Sequence, residues 1–447
     1  MRAEPMTLRL AKRLVALRHQ ELPAEVLGMA RTLLADTLLV ALAGQAQPAA
    51  HGVRAALPAS AGRSHLWFAH GAAAMAPADA AFINTLHAGL LGYGSINARV
   101  HADAVCLPAA WAMAEQLGRG WEPFVLAFVA ASEVVGRFSH SASPRSAGWS
   151  HSSIYGGIGA AIAAGLLLEL PAEQLAHAIG LAMAQAAGTQ QASLESVLSR
   201  RLQPAFATRN GVFAAQLAAA GVTAARQAVE GRFGFRALYE PGNDKAVLAG
   251  LGSDWRLLDT ALKPYPVSAC SQAPIEALLG LVGAHGCGEQ DVLELVAYVS
   301  PFMFRYVGGE FSANGDLAML AQFNLRYHLA SVLLRGPLTF EHLQPAALQA
   351  PAIATVLRKV HLRVDPRNSH DFAPATVAIT LRDGRVLEAT QPVLPGSRGQ
   401  PMGRAACAAK AAQCGALAGV DGHALWARLA ALAEAGDWHG LAARVRG

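Results

Sequence analysis

Residues 154–168 read IYGGIGAAIAAGLLL, an apolar run that poses the first structural question in this chain. A membrane-spanning helix needs roughly 20 apolar residues in succession. This run is shorter and is built mainly of Gly and Ala rather than Leu, Ile and Phe. The next stretch, Leu175 to Leu194, carries His177, Gln185, Gln190 and Gln191 within it. Small residues at this density predict helices packed closely together in the middle of a sizeable helical body.

Composition agrees with a folded body. Of 447 residues, 53% are hydrophobic and only 15% charged, which excludes a disordered chain. At about 150 residues per domain, the length predicts two or three domains. The opening MRAEPMTLR lacks the apolar stretch of a secretory signal, so the cytoplasm is the expected compartment. Net charge is +5, yet the adjacent basic pairs are scattered at Lys12-Arg13, Arg200-Arg201 and Arg358-Lys359. None is interleaved with stacking aromatics, so nucleic acid is not an expected partner, and a cleft attracting small anions explains the balance. The five cysteines form no CxxC pair and no zinc or iron–sulfur spacing, so reduced thiols and no metal are expected.

Periodicity divides the chain. In Pro23 to Ala43, apolar residues recur at three- and four-residue steps, with Pro23 suited to a first turn and Gly44 to the position after the end. Similar helical segments run through Pro108–Leu117, Glu122–Phe138, Ile154–Leu168, Ala172–Ala187 and Arg209–Ala220. After Pro264-Tyr265-Pro266 the pattern changes. Leu293–Ser300 and Val360–Val364 alternate as strands do, and TVAITLRDGRVLEAT (Thr376–Thr390) predicts a hairpin about Asp383-Gly384. Helical segments Ser271–Ala284, Leu317–Leu334 and Ala352–Leu357 sit among them, and Ala405–Ala435 is helical again. The expected class is mainly α with an α+β insertion. Residues 1–266 and 395–447 would form a discontinuous helical domain, and 267–394 a smaller α+β domain.

Four loop-like segments hold polar residues for which a helical core has no obvious use. They are Asn84–Pro108, Arg145–Gly157, Ser199–Arg209 and Leu262–Gln272. The first carries Tyr93, Ser95, Arg99, His101 and Asp103, with His87 read as structural at a helix end. The second carries His151 and Tyr155, the latter beside Gly156-Gly157, where it either packs at a helix start or adjoins backbone N–H groups that receive a carboxylate. Histidines in loops are more often exposed or hydrogen-bonded than catalytic, but His101 and His151 are the candidates for proton transfer. Arg200 and Arg201 are either a solvated pair or an anion contact. Lys263, before two stiffening prolines, is either fixed in place or a surface lysine. No Walker loop, GxGxxG, HExxH or GxSxG is present.

Taken together, these segments resemble the MmgE/PrpD family nearly from end to end. The resemblance rests on LLADTLLVALAG (33–44), AAFINTLHA (80–88), His101 with the LPAAWAMAEQLG that follows, and GWSHSSIYGGIGAAIAAGLLLEL (148–170). It continues through ATRNGVFAAQLAAAGVTAARQAVEGRFGF (207–235), LKPYP (262–266), AQFNLRYHLASVLLRG (321–336) and PGSRGQPM (395–402). The family includes 2-methylcitrate dehydratase, cis-aconitate decarboxylase and iminodisuccinate epimerase. It implies a helical domain from both chain ends, an inserted α+β lid, a homodimer, no metal or organic cofactor, and a small carboxylate substrate. No membrane partner is implied.

Position by position, the family's acidic DYDD loop falls on Gly92-Tyr93-Gly94-Ser95, and only Tyr93 is kept. The histidine of its HPS/HPG motif matches His101. Its GFH motif falls on Gly148-Trp149-Ser150, with His151 one place later. The lysine and histidine of its K-P/R-L-H run become Arg200 and Gln203. Lys263 is kept, the histidine nine residues on becomes Gln272, and Tyr327 matches a tyrosine of an FSLPY-like run. The resemblance therefore implies a cofactor-independent lyase of dehydratase or decarboxylase type. His101, His151, Tyr155 and Tyr93 are its catalytic candidates; Arg99, Arg200, Arg201, Lys263, Gln272 and Tyr327 would hold substrate. The alternatives are epimerisation of a carboxylate-bearing amino or imino acid, and an acid-binding or interaction protein without turnover.

Overall fold

The computed structural model describes residues 4–143, 148–311 and 317–446. Arg145, Ser146 and Ala147 of the second polar segment thus lie outside the described residues. By its own contacts the chain divides into two compact units, one of residues 1–192, 198–260 and 414–447, the other of residues 193–197 and 261–413. The fold is mainly α, with one small mixed sheet in the second unit.

The first unit begins with α1 (Met6–Ala16), α2 (Ala24–Gln45), α3 (Pro48–Ala55) and α4 (Pro77–Gly89). Next come α5 (Ala102–Leu117), α6 (Trp121–His140), the short α7 (His151–Ile154), α8 (Gly156–Leu167) and α9 (Ala172–Met183). After α10 (Gln191–Leu194) follow α11 (Ser199–Ala219), α12 (Phe235–Leu238) and α13 (Asp244–Leu248). Every residue of α8 is buried, and α5, α6, α9 and α11 pack around it. Gly and Ala there let five helices approach, which is the role their density predicts.

Among the described residues, α2 is the one helix long and apolar enough to cross a membrane, but its apolar window is 72% buried within this unit. It packs against α4, α5 and α6. The helix runs past Gly44 to Gln45 instead of ending before that glycine. Gly44 is required by close approach: a Cβ there would lie 2.0 Å from the His87 carbonyl oxygen of α4.

In the second unit the order is α14 (Ala269–His285), β1 (Val292–Val299), α15 (Pro301–Val307), α16 (Leu317–Ala321) and α17 (Leu325–Arg335). It continues with α18 (Pro345–Leu348), α19 (Pro351–Leu357), β2 (Val360–Val364), β3 (Ala375–Leu381) and β4 (Val386–Gln391). The sheet order is β2-β1-β3-β4, with β1 parallel to β2 and antiparallel to β3. The expected hairpin is β3–β4, in the register Thr376 opposite Thr390, with Gly384 at φ +90° in its turn. Inward residues of β3 alternate with half-buried ones, and α14 packs on β3 and β4.

Helix α20 (Arg404–Ala418) crosses the division between the units, and α21 (Gly422–Glu434) and α22 (Trp438–Arg446) complete the first unit. Trp438 sits 4.8 Å from Trp111 of α5 and 4.5 Å from Phe124 of α6, ring to ring. Phe68 N–H donates to the Val445 carbonyl at 2.7 Å, and Arg446 pairs with buried Glu115 at 3.1 Å.

The boundaries differ from those read in the sequence, at 266 and 394. Leu262 N–H donates to the Gly396 carbonyl at 3.1 Å, so both segments belong to the second unit. Gly396 has φ +82°, and a Cβ there would lie 1.8 Å from the Leu262 carbonyl oxygen, so only glycine fits. A larger difference concerns Ser199–Arg209, expected as a loop and found as the first half of α11, with Pro204 inside the helix.

Candidate active site

The first polar segment forms a tight loop between α4 and α5, closed by a bridge between Asn97 and Val100. Three side chains fix it. Asn97 donates to the Arg256 carbonyl at 2.7 Å and to Thr260 Oγ1 at 2.9 Å, and its own Oδ1 is 3.0 Å from His140 Nε2. Asp103, buried in the first turn of α5, accepts from Thr37 Oγ1 and from Ser95 Oγ, both at 2.7 Å. That carboxylate ties α2, the loop and α5 together. His101 is the residue before α5, and its Nδ1 lies 2.5 Å from the Ser95 carbonyl oxygen. A carbonyl only accepts, so Nδ1 carries the proton and the lone pair of the neutral ring is on Nε2.

The second polar segment is joined to the first directly by one hydrogen bond and indirectly through Ser139 of α6. His101 N–H donates to Ser152 Oγ at 3.0 Å, and Arg99 N–H donates to Ser139 Oγ at 3.0 Å. Ser139 Oγ in turn lies 2.9 Å from His151 Nδ1. The sequence-predicted His101, Arg99, His151 and Tyr155 are thereby held in one cluster. The Tyr155 ring is fully buried, edge-on to His151 at 5.2 Å and stacked on Phe138 at 5.5 Å. Burial raises its phenol above the ordinary value; the Arg236 guanidinium opposes this and the Glu240 carboxylate adds to it. Arg236 itself bonds to Asp244 at 2.9 Å and Ser141 at 2.7 Å. Tyr93 is also fully buried, in the loop before Ser95.

Arg200 and Arg201 lie in the first turn of α11, where Arg200 is half-buried and Arg201 buried. Burial pulls Arg201 down to about 10, which still leaves it a cation at neutral pH. The remaining three candidates lie in the second unit, all buried. Lys263 lies in the loop before α14. The Gln272 amide nitrogen is 3.0, 3.1 and 3.3 Å from the carbonyl oxygens of Tyr265, Val267 and Ser268, and its Oε1 accepts from Tyr265 N–H at 3.2 Å. It therefore staples the loop that carries Lys263. Tyr327 donates to the His342 carbonyl and stacks on Phe311 at 5.1 Å. Among the described residues, no three His, Cys, Asp or Glu side chains converge as a metal-binding set.

Residues 8–248 match the MmgE/PrpD N-terminal domain and residues 265–425 the MmgE/PrpD C-terminal domain. The chain belongs to the MmgE/PrpD family. A cis-aconitate decarboxylase-like protein of Aspergillus oryzae is 26% identical over 414 residues, 86% of this chain and 85% of that protein. Human cis-aconitate decarboxylase is 26% identical over 325 residues, covering 69% of this chain and 66% of the human protein. The Aspergillus terreus cis-aconitate decarboxylase is 29% identical over 231 residues, and there the match spans 48% of this chain and 46% of the enzyme.

Within this MmgE/PrpD chain, two residues of the cluster escaped the sequence reading. Ser139 is the penultimate residue of α6, just past the stretch Glu122–Phe138 that reads as plain helix. Glu240 follows α12 and is wholly buried, with Oε1 3.4 Å from His151 Nε2. Its one sequence signal is an acidic residue beside a Pro-Gly turn, in Tyr239-Glu240-Pro241-Gly242.

Proposed function

We propose that this chain is a cofactor-independent lyase of the dehydratase or decarboxylase type, acting on a small di- or tricarboxylate. The observation that carries the reading is the Ser95 carbonyl on His101 Nδ1 at 2.5 Å. It commits Nδ1 and leaves Nε2 as the nitrogen that exchanges a proton with substrate carbon. Arg99, two residues before His101, supplies a cation for a substrate carboxylate, and Tyr155 or Tyr93 donates to the oxyanion that develops. The cis-aconitate decarboxylases among its relatives support a carboxylate substrate.

One observation weighs against dehydration and keeps a second reading, epimerisation, beside decarboxylation. The Asp103 carboxylate accepts from Ser95 and Thr37 and so serves the scaffold, while residues 92–95 hold no carboxylate to protonate a leaving hydroxide. Decarboxylation and epimerisation both proceed without such an acid. Incubation in deuterated water with cis-aconitate, 2-methylcitrate or iminodisuccinate, followed by NMR, separates the readings. Loss of CO2 or water is the expected result. Deuterium exchange at one carbon with an intact skeleton would replace it with epimerisation. Thermal stabilisation by an acid without exchange or product would leave a binding protein.

A further inference from the structure

Glu240 is buried at 0% exposure, and neither carboxylate oxygen has a hydrogen-bond partner among the described residues. A carboxylate taken out of water without donors is unfavourable, so its presence needs a compensating group. His151 Nε2, 3.4 Å from Oε1, is the group that meets it. On the opposite edge of the same ring, Nδ1 is 2.9 Å from Ser139 Oγ, whose oxygen already accepts the Arg99 N–H. Tyr155 stands edge-on to the ring, and its phenol feels Arg236, Glu240 and Arg99. Arg236 is engaged by Asp244, Ser141 and the Glu240 backbone carbonyl.

We propose that Glu240 is the positioning residue of His151. It draws the ring proton to Nε2, so that the Nδ1 lone pair faces the Ser139 hydroxyl and the three residues form one carboxylate–imidazole–hydroxyl chain. The ring is then held at both edges, and its tautomer is set from the side opposite Ser139. The proton path runs through Ser139: its hydroxyl proton passes to Nδ1 as Oγ takes up a proton from outside, and the reverse transfer restores both. Glu240 takes no part in the transfer and only holds the ring. The functional importance of this chain rests on the lyase reading above; the tautomer does not.

The test uses the full chain with 15N-labelled histidine. Glu240→Leu fills a similar volume without an acceptor, and it leaves a neutral imidazole rather than a buried charge behind. Wild type is expected to show His151 as the Nε2–H tautomer. Glu240→Leu is expected to show a mixture or a change to Nδ1–H, and Glu240→Asp to recover the wild-type form in part. On a turned-over acid, Glu240→Leu should lower kcat at least about tenfold with KM within about twofold, and Glu240→Asp should restore part of it. An unchanged His151 spectrum in Glu240→Leu would overturn the proposal, as would a wild-type ring protonated at Nδ1. Should no acid be turned over, the spectra still decide the role of Glu240, while the lyase reading fails separately.

Discussion

The Ser95 hydroxyl donates to Asp103 Oδ1 at 2.7 Å while the Ser95 carbonyl holds His101 Nδ1, so one residue links a buried carboxylate to the candidate proton-transfer group. The carboxylate's other oxygen is taken by Thr37. Asp103 therefore acts on His101 through the backbone that it anchors.

Asp103→Asn keeps one acceptor and turns an amide toward the other hydroxyl, leaving a buried donor unpaired. It should destabilise the protein by about 1–3 kcal/mol, read from urea unfolding, and lower turnover less than loss of His101 does. Abolished turnover at unchanged stability would instead make Asp103 a proton donor in the reaction.

His101→Ala removes the nitrogen assigned to proton exchange while leaving the Ser95–Asp103 bond in place. Turnover of a confirmed acid should fall about 10²–10⁴-fold, with the melting temperature nearly unchanged. Steady-state kinetics beside a thermal melt checks both halves of this expectation.

His87 is buried in α4, and burial pushes it down to about 3. The unfolded chain takes up this proton near pH 6.5, whereas the native state takes it up only near 3, so stability falls as pH drops through that window. The slope is about 1.4 kcal/mol per pH unit between these limits. His328, pushed down to about 4 by burial, adds a slope of the same sign between 6.5 and 4. In urea titrations at several pH values, His87→Leu should remove one such slope. An unchanged pH dependence in that variant would contradict the assignment.

Gln272→Ala removes the clamp on residues 265–268. Its loss should cost about 1–3 kcal/mol and increase hydrogen exchange at the Tyr265 amide, which loses its acceptor. Exchange at amides of β1, which Gln272 does not touch, should stay as in wild type.

The strands and their hairpin were legible because alternation and Asp383-Gly384 are local signals. Helix starts were less so, and proline is the reason. The helical segment read from the sequence starts at Pro108, yet α5 begins at Ala102; Ser199–Arg209, with Pro204 in it, reads as loop-like, yet α11 begins at Ser199. Proline inside a helix costs about 3 kcal/mol, and the burial of α5 and of one side of α11 outweighs it. Both differences fell on candidate site segments, and the second assigned Arg200 and Arg201 to a loop when a helix presents them. His101 and His151 were legible as polar residues beside apolar helices. Ser139 and Glu240 were not, because each meets His151 only after the chain has folded back over 12 and 89 residues. No spacing rule carries that information.

The docking of Trp438 against Trp111 and Phe124 sets an order on biosynthesis. The aromatic socket is translated early, and the ring that fills it follows 314 residues after Phe124, beyond the whole second unit. At roughly 5–20 residues per second, that leaves an apolar recess open for about fifteen to sixty seconds on the ribosome. Truncation just before α21 would make that interval permanent.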